Sequence, residues 1–458
     1  MVRYSLMLLL CPGAMLGAAA WAEAPRAALN WGTATKPFAA NSMWNSRPVK
    51  PVLGDYVIPK TVYHPLVGEG PYSTGVFVAS EGDSAVTIEN TWSADDEQRR
   101  SVTIPRWPRD VEPASGTDGH ADIIDAKAGI IHSFWQLRMV GPTWLASQYA
   151  WAPLAGAGWG DAGHYFQGAR AAGVPTLGGL IRRNEVRDGD IMYRHVLAVS
   201  LDNSALKSGY VQPATSEDED GASAYAGEIP IGALLMLPAA FEVDRLATQE
   251  LRKVAETLKI YGARVVDRNH QTRFYIPAEN GSGFRIHHGG WNSAAAEDLE
   301  TIADELRMMT GNSGYIDGNG RLFVPSLAPD LISMRGPWAL SQGEMLGAFD
   351  TWQQSLVFPA TPIQVIQAQR GRSWARELPW AKWVPGRKYQ FSVSASGGAM
   401  LRLQFVANDH ATVILETRDL GDGESETFIM PSDMGDPVLL AKSGISGPST
   451  ARGRLAAH

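Results

Sequence analysis

Titratable side chains recur at every second position in two segments of the chain. His120 and Asp122 are two residues apart in one segment, and Tyr193 and His195 are two residues apart in the other. Side chains alternate between the two faces of a strand, so each pair is predicted to share a face. Because a buried face is otherwise apolar, a face that carries an acid, a base and a phenol predicts a functional site.

A third predicted strand adds an amide and a cation, Gln136 and Arg138. If the three strands are neighbours, their polar groups suit cleavage of an acidic polysaccharide by β-elimination. That reaction needs a cation or an amide to neutralise a uronate carboxylate, a base to take the neighbouring proton and an acid for the leaving oxygen. We predict Arg138 and Gln136 for the first role, His195 or His120 for the second and Tyr193 for the third.

Polar and aromatic side chains beside these segments are predicted to bind the substrate. They are Gln136, Asp122, Glu185, Trp135 and Arg182. Apolar sugar faces stack on aromatic rings, and the chain has 15 tryptophans, while charged and amide groups meet the hydroxyls. For Glu185 the structural alternative is a surface salt bridge with the neighbouring arginines.

Carboxylates support a second interpretation, a glycoside hydrolase. Such an enzyme uses two facing carboxylates, one as acid and one as nucleophile or base. The candidates are Asp118, Asp122, Asp125 and Glu185. A third interpretation is a non-catalytic carbohydrate-binding or envelope polysaccharide protein, which would expose aromatics without a convergent acid and base.

Metal and cofactor motifs are weak, so we predict no cofactor and no metal ion at the site. His287 and His288 are adjacent and would point to opposite faces of a strand. The acidic run 217–221 is best explained as a solvated loop, with a structural calcium ion as the alternative. The sequence has no G-x-S-x-G elbow and no phosphate-loop or dinucleotide motif, which argues against typical esterases and nucleotide enzymes.

Short apolar runs broken by Gly, Pro and Asp dominate residues 61–240, which predicts an antiparallel β domain. The predicted strands are Val102–Pro105, Gly119–Asp125, Gly129–Arg138, Asp190–Leu201 and Ala233–Leu237. The insertion 141–180 is predicted to be a loop packed over the sheet. The predicted fold class is therefore mainly β, a jelly-roll-like antiparallel sandwich.

Two helices are predicted from apolar residues at helical spacing, and they give the middle of the chain an α+β core. The first spans 244–261 with Asp244 as its N-cap, and the second spans 293–309 with Ser293 as its N-cap. Gly311 is the predicted stop of the second helix.

The predicted domain organisation has four parts. They are a signal peptide (1–22), a β-rich catalytic domain (23–335), a C-terminal β-sandwich (336–446) and a polar tail (447–458). Arg3, the apolar run Leu6–Leu10 and the small-x-small run 20–22 indicate the signal peptide. Clean alternation in 388–395 and 400–406 indicates the sandwich, which by analogy with small terminal modules would bind carbohydrate.

These features predict a periplasmic or secreted protein with a polysaccharide as its partner. The sole cysteine, Cys11, lies in the predicted signal peptide, so the mature chain would have no disulfide. A formal net charge of -8 over 458 residues argues against nucleic acid or an anionic membrane as the main partner. After the signal peptide, no apolar run in the sequence is long enough to span a membrane.

Several short runs in the region 115–305 form a recognisable pattern. They are Asp118-Gly119-His120, Ile123-Ile124-Asp125, Phe134-Trp135, Gly173-Val174-Pro175, Gly178–Arg182, Glu185, Gly189–Ile191, His195, Ile229–Gly232 and Tyr261–Asp267. By these runs the region resembles a family of secreted bacterial proteins of uncharacterised activity. Members of that family usually carry a Glu where this chain has Ser133. The resemblance implies a shared fold and no particular activity.

We therefore predict an exported polysaccharide-degrading enzyme. A lyase that cleaves a uronate-containing polysaccharide is preferred, because no pair of carboxylates is clearly placed by the sequence. A glycoside hydrolase and a non-catalytic carbohydrate-binding protein are the alternatives.

Overall fold

The computed structural model describes residues 30–91, 101–161, 164–218, 220–325, 331–332, 334, 338–340, 346–369, 384–407, 412–432 and 437–458. The predicted signal peptide lies outside the described residues. Among the helices that are described, none is long and apolar enough to cross a membrane.

Strands dominate the first part of the chain. They are β1 (Arg47–Pro48), β2 (Val52–Leu53), β3 (Leu66–Gly68), β4 (Gly75–Val78), β5 (Val86–Asn90), β6 (Ser101–Ile104), β7 (Ala121–Asp125), β8 (Ile130–Trp135), β9 (Arg138–Val140), β10 (Thr143–Ala146), β11 (Gln148–Pro153), β12 (Leu197–Asp202), β13 (Leu206–Tyr210), β14 (Ile229–Ile231), β15 (Leu234–Met236), β16 (Ala263–Asn269), β17 (Phe274–Pro277), β18 (Arg307–Gly311), β19 (Tyr315–Ile316) and β20 (Leu322–Phe323). The helices are α1 (Gly221–Ala224), a 3-10 helix (Val243–Arg245), α2 (Gln249–Ile260) and α3 (Ser293–Glu305).

Three layers of sheet build this part. The first is β6-β5-β10-β9, the second is β11-β8-β7-β4 and the third is the seven-stranded sheet β2-β18-β15-β16-β12-β17-β3. On one face of the second sheet, Ile123 and Phe134 pack with Trp144 of the first. On its other face, Ile124 and Ile131 join the core that the seven-stranded sheet shares with α2 and α3. All five residues of β7 are buried because both faces of their sheet are covered.

The C-terminal part is a sandwich of two antiparallel sheets. Its strands are β21 (Trp338–Leu340), β22 (Ala348–Asp350), β23 (Ser355–Phe358), β24 (Ile366–Gln369), β25 (Lys388–Ser396), β26 (Met400–Val406), β27 (Val413–Glu416), β28 (Ser425–Ile429), β29 (Pro437–Lys442) and β30 (Ser449–Ala457). One sheet has the order β21-β24-β29-β26-β27 and the other β22-β23-β30-β25-β28. Alternate residues such as Phe391 and Leu403 fill the space between them. The mainly β fold class predicted from the sequence is confirmed.

The predicted polar tail 447–458 is wrong, because most of it forms β30. This strand pairs with β25 over eight residues and with β23 over three. Ala451 and Leu455 point into the core, while Arg452 and Arg454 alternate with them. The arginines made the segment look polar although its period of two is that of a half-buried strand.

Both long helices exist, with boundaries that differ from the prediction. Asp244 lies in the 3-10 helix, and α2 begins only at Gln249. The N-cap of α3 is Asn292, whose Oδ1 accepts hydrogen bonds from Ala294 N at 3.1 Å and Ala295 N at 3.4 Å. The helix ends at Glu305 rather than 309, because the next residues pair with β15 and β2 as β18.

Two strand predictions that carry site residues and one loop prediction need correction. The segment 190–196 is not a strand, since Tyr193 N donates to Thr257 Oγ1 at 2.8 Å and Val196 N to Trp44 O at 2.7 Å. Gln136 takes a left-handed φ of 54°, which ends β8 and separates it from β9. The insertion 141–180 contains β10 and β11, so only its later part is loop.

Candidate functional site

A buried arginine that the sequence analysis did not select lies between the second and third sheets. Arg170 belongs to the loop after β11, and this loop is tied to β16 because Ala172 N donates to Val266 O at 3.0 Å. The Arg170 side chain is 6% exposed. Its Nη1 lies 3.6 Å from Asp267 Oδ2, while Nη2 is buried and has no hydrogen-bond partner among the described residues. An unpaired buried guanidinium nitrogen is costly, which marks the position for a functional explanation.

Asp267 is the carboxylate partner of Arg170. It lies near the end of β16, and its side chain keeps 20% of its surface exposed. Burial raises the pKa of Asp267 to about 7, with a further increase from the charges of Asp218 and Asp118 against the opposing charge of Arg170. A carboxyl group that titrates near neutral pH and is reached by solvent can give or take a proton.

His120 and Asp122 come close to Arg170 from β7 and the turn before it. Burial and the positive charge of Arg170 lower the pKa of His120 to about 3, so its ring is neutral. Burial raises the pKa of Asp122, against the opposing hydrogen bond from the Leu177 backbone. The Leu177 N to Asp122 Oδ2 distance is 2.6 Å.

Tyr275 of β17 completes this group. Its hydroxyl donates to Gly68 O at 3.0 Å, and burial raises its pKa to about 12, against the effects of Ser73 and Arg170. We call Arg170, His120, Asp122, Asp267 and Tyr275 the Arg170 cluster. It places one incompletely paired cation beside a neutral imidazole and a carboxyl group that titrates near pH 7.

A second group of polar side chains surrounds Glu185 and His195. His195 Nε2 lies 3.1 Å from Glu185 Oε2, and its Nδ1 lies 2.9 Å from the backbone oxygen of Val196. Burial opposes the charged ring, but the carboxylate of Glu185 outweighs it and raises the pKa of His195. Burial likewise opposes ionisation of Glu185, and the charge of His195 outweighs it, so the pKa of Glu185 is lowered.

The contacts of His195 fix its protonation state. Both ring nitrogens face oxygen acceptors, so both carry a proton and the ring is an imidazolium. An imidazolium that donates to Glu185 and Val196 has no free lone pair with which to take a proton. The geometry is therefore that of a paired ion, with side chains that are 14% and 17% exposed.

Tyr193, Arg182 and Lys253 extend this second group. The Tyr193 side chain is 2% exposed, and burial followed by nearby carboxylates raises its pKa. Lys253 Nζ lies 4.6 Å from the centre of the Tyr193 ring and donates to the backbone oxygen of Glu185 at 2.6 Å. Arg182 Nε donates to Glu279 Oε2 at 2.8 Å. We call Glu185, His195, Tyr193, Arg182, Lys253 and Glu279 the Glu185–His195 cluster.

The structure separates the residues that the sequence placed on one face. Asp122 pairs across the strands with Ser133, so it lies on the opposite face of β8 from His132 and Phe134. Tyr193 and His195 precede β12, which belongs to the seven-stranded sheet and not to the sheet of β7 and β8.

The remaining predicted residues lie at or beyond the end of β8. Arg138 is exposed on β9 of the first sheet, and its Nη1 donates to the Gln136 backbone oxygen at 3.1 Å. Gln136 Oε1 accepts from Ser147 Oγ at 2.6 Å. Trp135 Nε1 donates to Asp118 Oδ1 at 3.4 Å, which places this ring beside one carboxylate near the Arg170 cluster.

Other carboxylates considered from the sequence have structural partners. Asp125 accepts from Arg106 Nε at 3.0 Å and pairs with its Nη2 at 2.7 Å. In the acidic run, Asp218 and Asp220 both pair with Arg268, while Glu219 lies outside the described residues. No group of three or more His, Cys, Asp or Glu within the described ranges is arranged to hold a metal ion.

An exposed ring lies far along the chain from both clusters. Trp291 is 69% exposed and stacks on His287 at 4.7 Å between ring centroids. His64 lies beside it, with a centroid distance of 5.9 Å. His288 points elsewhere, to Glu250 at 2.9 Å, and the two adjacent histidines lie in a turn rather than in the strand assumed from the sequence.

No protein-family model and no curated protein matches the sequence. Among solved structures, the chain is similar to a glycosylation-associated protein (Gap123) complex from Streptococcus agalactiae, at 13% identity and a TM-score of 0.20, over 27% of this chain and 45% of that one. It is also similar to the enzymatically active domain of tailspike protein 4 from bacteriophage CBA120, at 13% identity and a TM-score of 0.20, over 26% of this chain and 19% of that one.

A family 16 carbohydrate-binding module matches at 11% identity and a TM-score of 0.16, over 22% of this chain and 75% of the module. The chain spans less than half the length of the first two of these structures. At such low TM-scores we draw no conclusion about function from these likenesses.

Proposed function

We propose that the protein is an exported enzyme that cleaves a uronate-containing polysaccharide by β-elimination at the Arg170 cluster. The observation that carries the proposal is the buried Arg170 guanidinium, whose Nη2 has no hydrogen-bond partner among the described residues. A carboxylate of the substrate would supply that partner, since Arg binds carboxylates through two parallel hydrogen bonds. Export rests on the N-terminal sequence alone.

Each step of the reaction has a candidate residue. Arg170 would neutralise the uronate carboxylate and thereby acidify the neighbouring C–H. His120, whose ring is neutral, would take that proton once the side chains that bury it move and its basicity is restored, and the electron pair of the C–H bond would form the new C=C bond. Asp267, with a pKa raised to about 7, would protonate the leaving oxygen as the C–O bond breaks. Since His120 is only 1% exposed, the substrate can reach it only if the surrounding side chains move.

A glycoside hydrolase is the second candidate function, and one observation favours it. Asp118 is near enough to Asp267 for its charge to raise the pKa of Asp267. Two neighbouring carboxyl groups are what hydrolysis of a glycosidic bond needs. Both reactions would take place at the same group of residues, and their products distinguish them.

The Glu185–His195 cluster is the second candidate location for lyase chemistry. It brings together His195, Tyr193, Glu185 and Arg182, four of the residues predicted from the sequence. His195 would act as a base there only after release from Glu185 and loss of a proton, because both of its ring nitrogens carry protons in the paired state. The assignment of catalysis to His195 and Tyr193 stays a prediction.

Incubation with a panel of uronic-acid polysaccharides tests the proposal. We expect ultraviolet absorbance from unsaturated uronates to rise together with new reducing ends. Reducing ends without absorbance would replace the lyase by the hydrolase. Polysaccharide binding without either product would support the non-catalytic interpretation. Loss of product in His195→Ala but not in Arg170→Met would move the site to the Glu185–His195 cluster.

A further inference from the structure

A separate cavity of about 340 Å³ lies beside β16, and none of its lining residues belongs to either cluster. Its described lining is Met43, Gln212, Pro213, Arg264, Asn312, Ser313, Gly314, Tyr315, Val324 and Pro325. Its volume is within the range of cavities that hold small organic ligands. Of these lining residues, Arg264 is the only one with a charged side chain.

Arg264 is 4% exposed and only partly satisfied. Its Nη1 donates to Gly232 O at 2.8 Å, while its Nε is buried and has no hydrogen-bond partner in the described part of the chain. Burial lowers the pKa of Arg264, while the charge of Tyr315 and a hydrogen bond with its side chain act in the opposite direction. A bound anion would restore both the missing hydrogen bond and the lost stabilisation of the charge.

A second donor of the lining is unpaired as well. Gln212 Nε2 is buried without a hydrogen-bond partner among the described residues. The neighbouring amide of Asn312 is already used, because its Oδ1 accepts from Gly314 N at 2.8 Å and its Nδ2 donates to the Tyr315 hydroxyl at 3.2 Å. The unmet hydrogen-bonding capacity of these side chains therefore lies in donors.

We propose that this cavity binds a small organic acid through a single carboxylate held by Arg264 and Gln212. One buried positive charge matches a monoanion, whereas a doubly charged phosphate would leave a buried negative charge unpaired. The apolar walls from Met43, Pro213 and Tyr315 suit a carbon skeleton of about the size of one sugar. The site does not depend on the proposed cleavage reaction.

Titration calorimetry of the full-length chain with glucuronate as the probe tests this site, with glucose as the neutral control. We expect glucuronate to bind and glucose not to bind. Gln212→Glu places a negative charge beside Arg264 and should weaken glucuronate binding by about tenfold or more, the scale of one charge-assisted hydrogen bond. Arg264→Met should do the same, and Gln212→Glu keeps the test valid if Arg264→Met does not fold.

Arg170→Met separates this site from the cleavage site. Because Arg170 is itself proposed to bind a uronate carboxylate, the titration is repeated in Arg170→Met, where we expect glucuronate binding to persist and to be weakened about tenfold or more when Gln212→Glu is added. Equal binding of glucose and glucuronate would overturn the proposal, as would full glucuronate affinity in Gln212→Glu. Absence of glucuronate binding in Arg170→Met would also overturn it, while cleavage by the wild-type chain remains the separate test of the Arg170 cluster.

Discussion

The Arg170 cluster and the Glu185–His195 cluster contain similar residue types but differ in how completely their charges are paired. In the Glu185–His195 cluster, the imidazolium has two acceptors, and Arg182 and Lys253 each donate to an oxygen. In the Arg170 cluster, the guanidinium has one ion-pair contact at 3.6 Å and a buried nitrogen without a partner. The groups of a paired network already have their hydrogen-bond partners, whereas an unpaired buried donor gains a partner only when another molecule binds to it.

This difference separates two roles that the sequence cannot distinguish. Closed ion pairs of low exposure hold loops in place and cost stability when one partner is removed. Open polar groups beside a residue that titrates near neutral pH are typical of sites where chemistry occurs. Under the proposed function, Glu185 and His195 contribute to stability, and Arg170 recognises the substrate.

The largest expected effect is the loss of cleavage when Arg170 is replaced. Arg170→Met removes the charge that neutralises the uronate, and we expect kcat/KM to fall by about a hundredfold to a thousandfold, as when one oxyanion-stabilising group is lost. The absorbance assay measures this change. Arg170→Lys is the matched control. It keeps the positive charge but lacks the paired donors of the planar guanidinium, so it should retain part of the rate. Unchanged kcat/KM in Arg170→Met would remove the contrast between the two clusters.

Replacement of Glu185 should reduce stability rather than chemistry. Glu185→Ala leaves a buried imidazolium, and we expect the free energy of unfolding to fall by about 3 kcal/mol in denaturant titrations. Asp190→Asn, which breaks the half-exposed ion pair with Arg194, is the control and should cost less than about 1 kcal/mol. Equal costs for the two variants would mean that burial of the Glu185 pair has no energetic consequence.

The stabilising effect of this pair also depends on pH. The raised pKa of His195 means that its contribution is present below the ordinary histidine value of 6.5 and is lost as pH rises through the folded-state pKa. The lowered pKa of Glu185 means that its contribution is lost as pH falls through its folded-state pKa. The difference in free energy of unfolding between wild type and Glu185→Ala should therefore become smaller at both low and high pH.

The contribution of Asp267 to stability should depend on pH in the opposite direction to that of Glu185. Its pKa is raised to about 7, so the folded state binds the proton more tightly and stability falls as pH rises from about 4 to above 7. Asp267→Asn should remove that fall, by about 1.4 kcal/mol for each unit by which the pKa is raised. Thermal melts across this pH range measure it, with the exposed Asp55→Asn as control. A fall of equal size in Asp267→Asn would contradict the assignment.

The smallest expected effect is at the exposed ring of Trp291. If this ring stacks on a sugar, Trp291→Ala should weaken polysaccharide binding by about fivefold without changing stability, since one aromatic contact contributes about 1 kcal/mol. Affinity electrophoresis in a gel that contains the polymer measures the change. Trp291→Phe is the control and should keep most of the affinity. If the mobility of Trp291→Ala equalled that of the wild type, this ring would be excluded from polysaccharide binding.

The mainly β fold class, with its C-terminal sandwich, was predictable because strand alternation and helical periodicity are local properties. The site was only partly predictable, because it depends on which strands become neighbours. His120 and Asp122 were selected from the sequence because polar residues on a predicted buried strand stand out, and their role in a site stays a prediction. Arg170 was missed because its segment has no periodicity, and its burial comes from tertiary contact with β16.

Two local features misled the sequence analysis at the other cluster. Alternating residues from 190 to 196 resemble a strand, but their backbone bonds to α2 and to Trp44. Gln136 looks like an interior strand residue, yet its left-handed φ of 54° ends β8. In both places a tertiary or backbone constraint outweighed the periodicity.

The most direct test compares one uronate polysaccharide with the same polymer after its carboxylates are reduced to alcohols. If Arg170 recognises and neutralises the substrate carboxylate, the wild-type protein should release unsaturated product from the acidic polymer and cleave the reduced polymer at least about a hundredfold more slowly. Cleavage of both polymers at similar rates would contradict the account, because the unpaired cation would then have no part in the reaction.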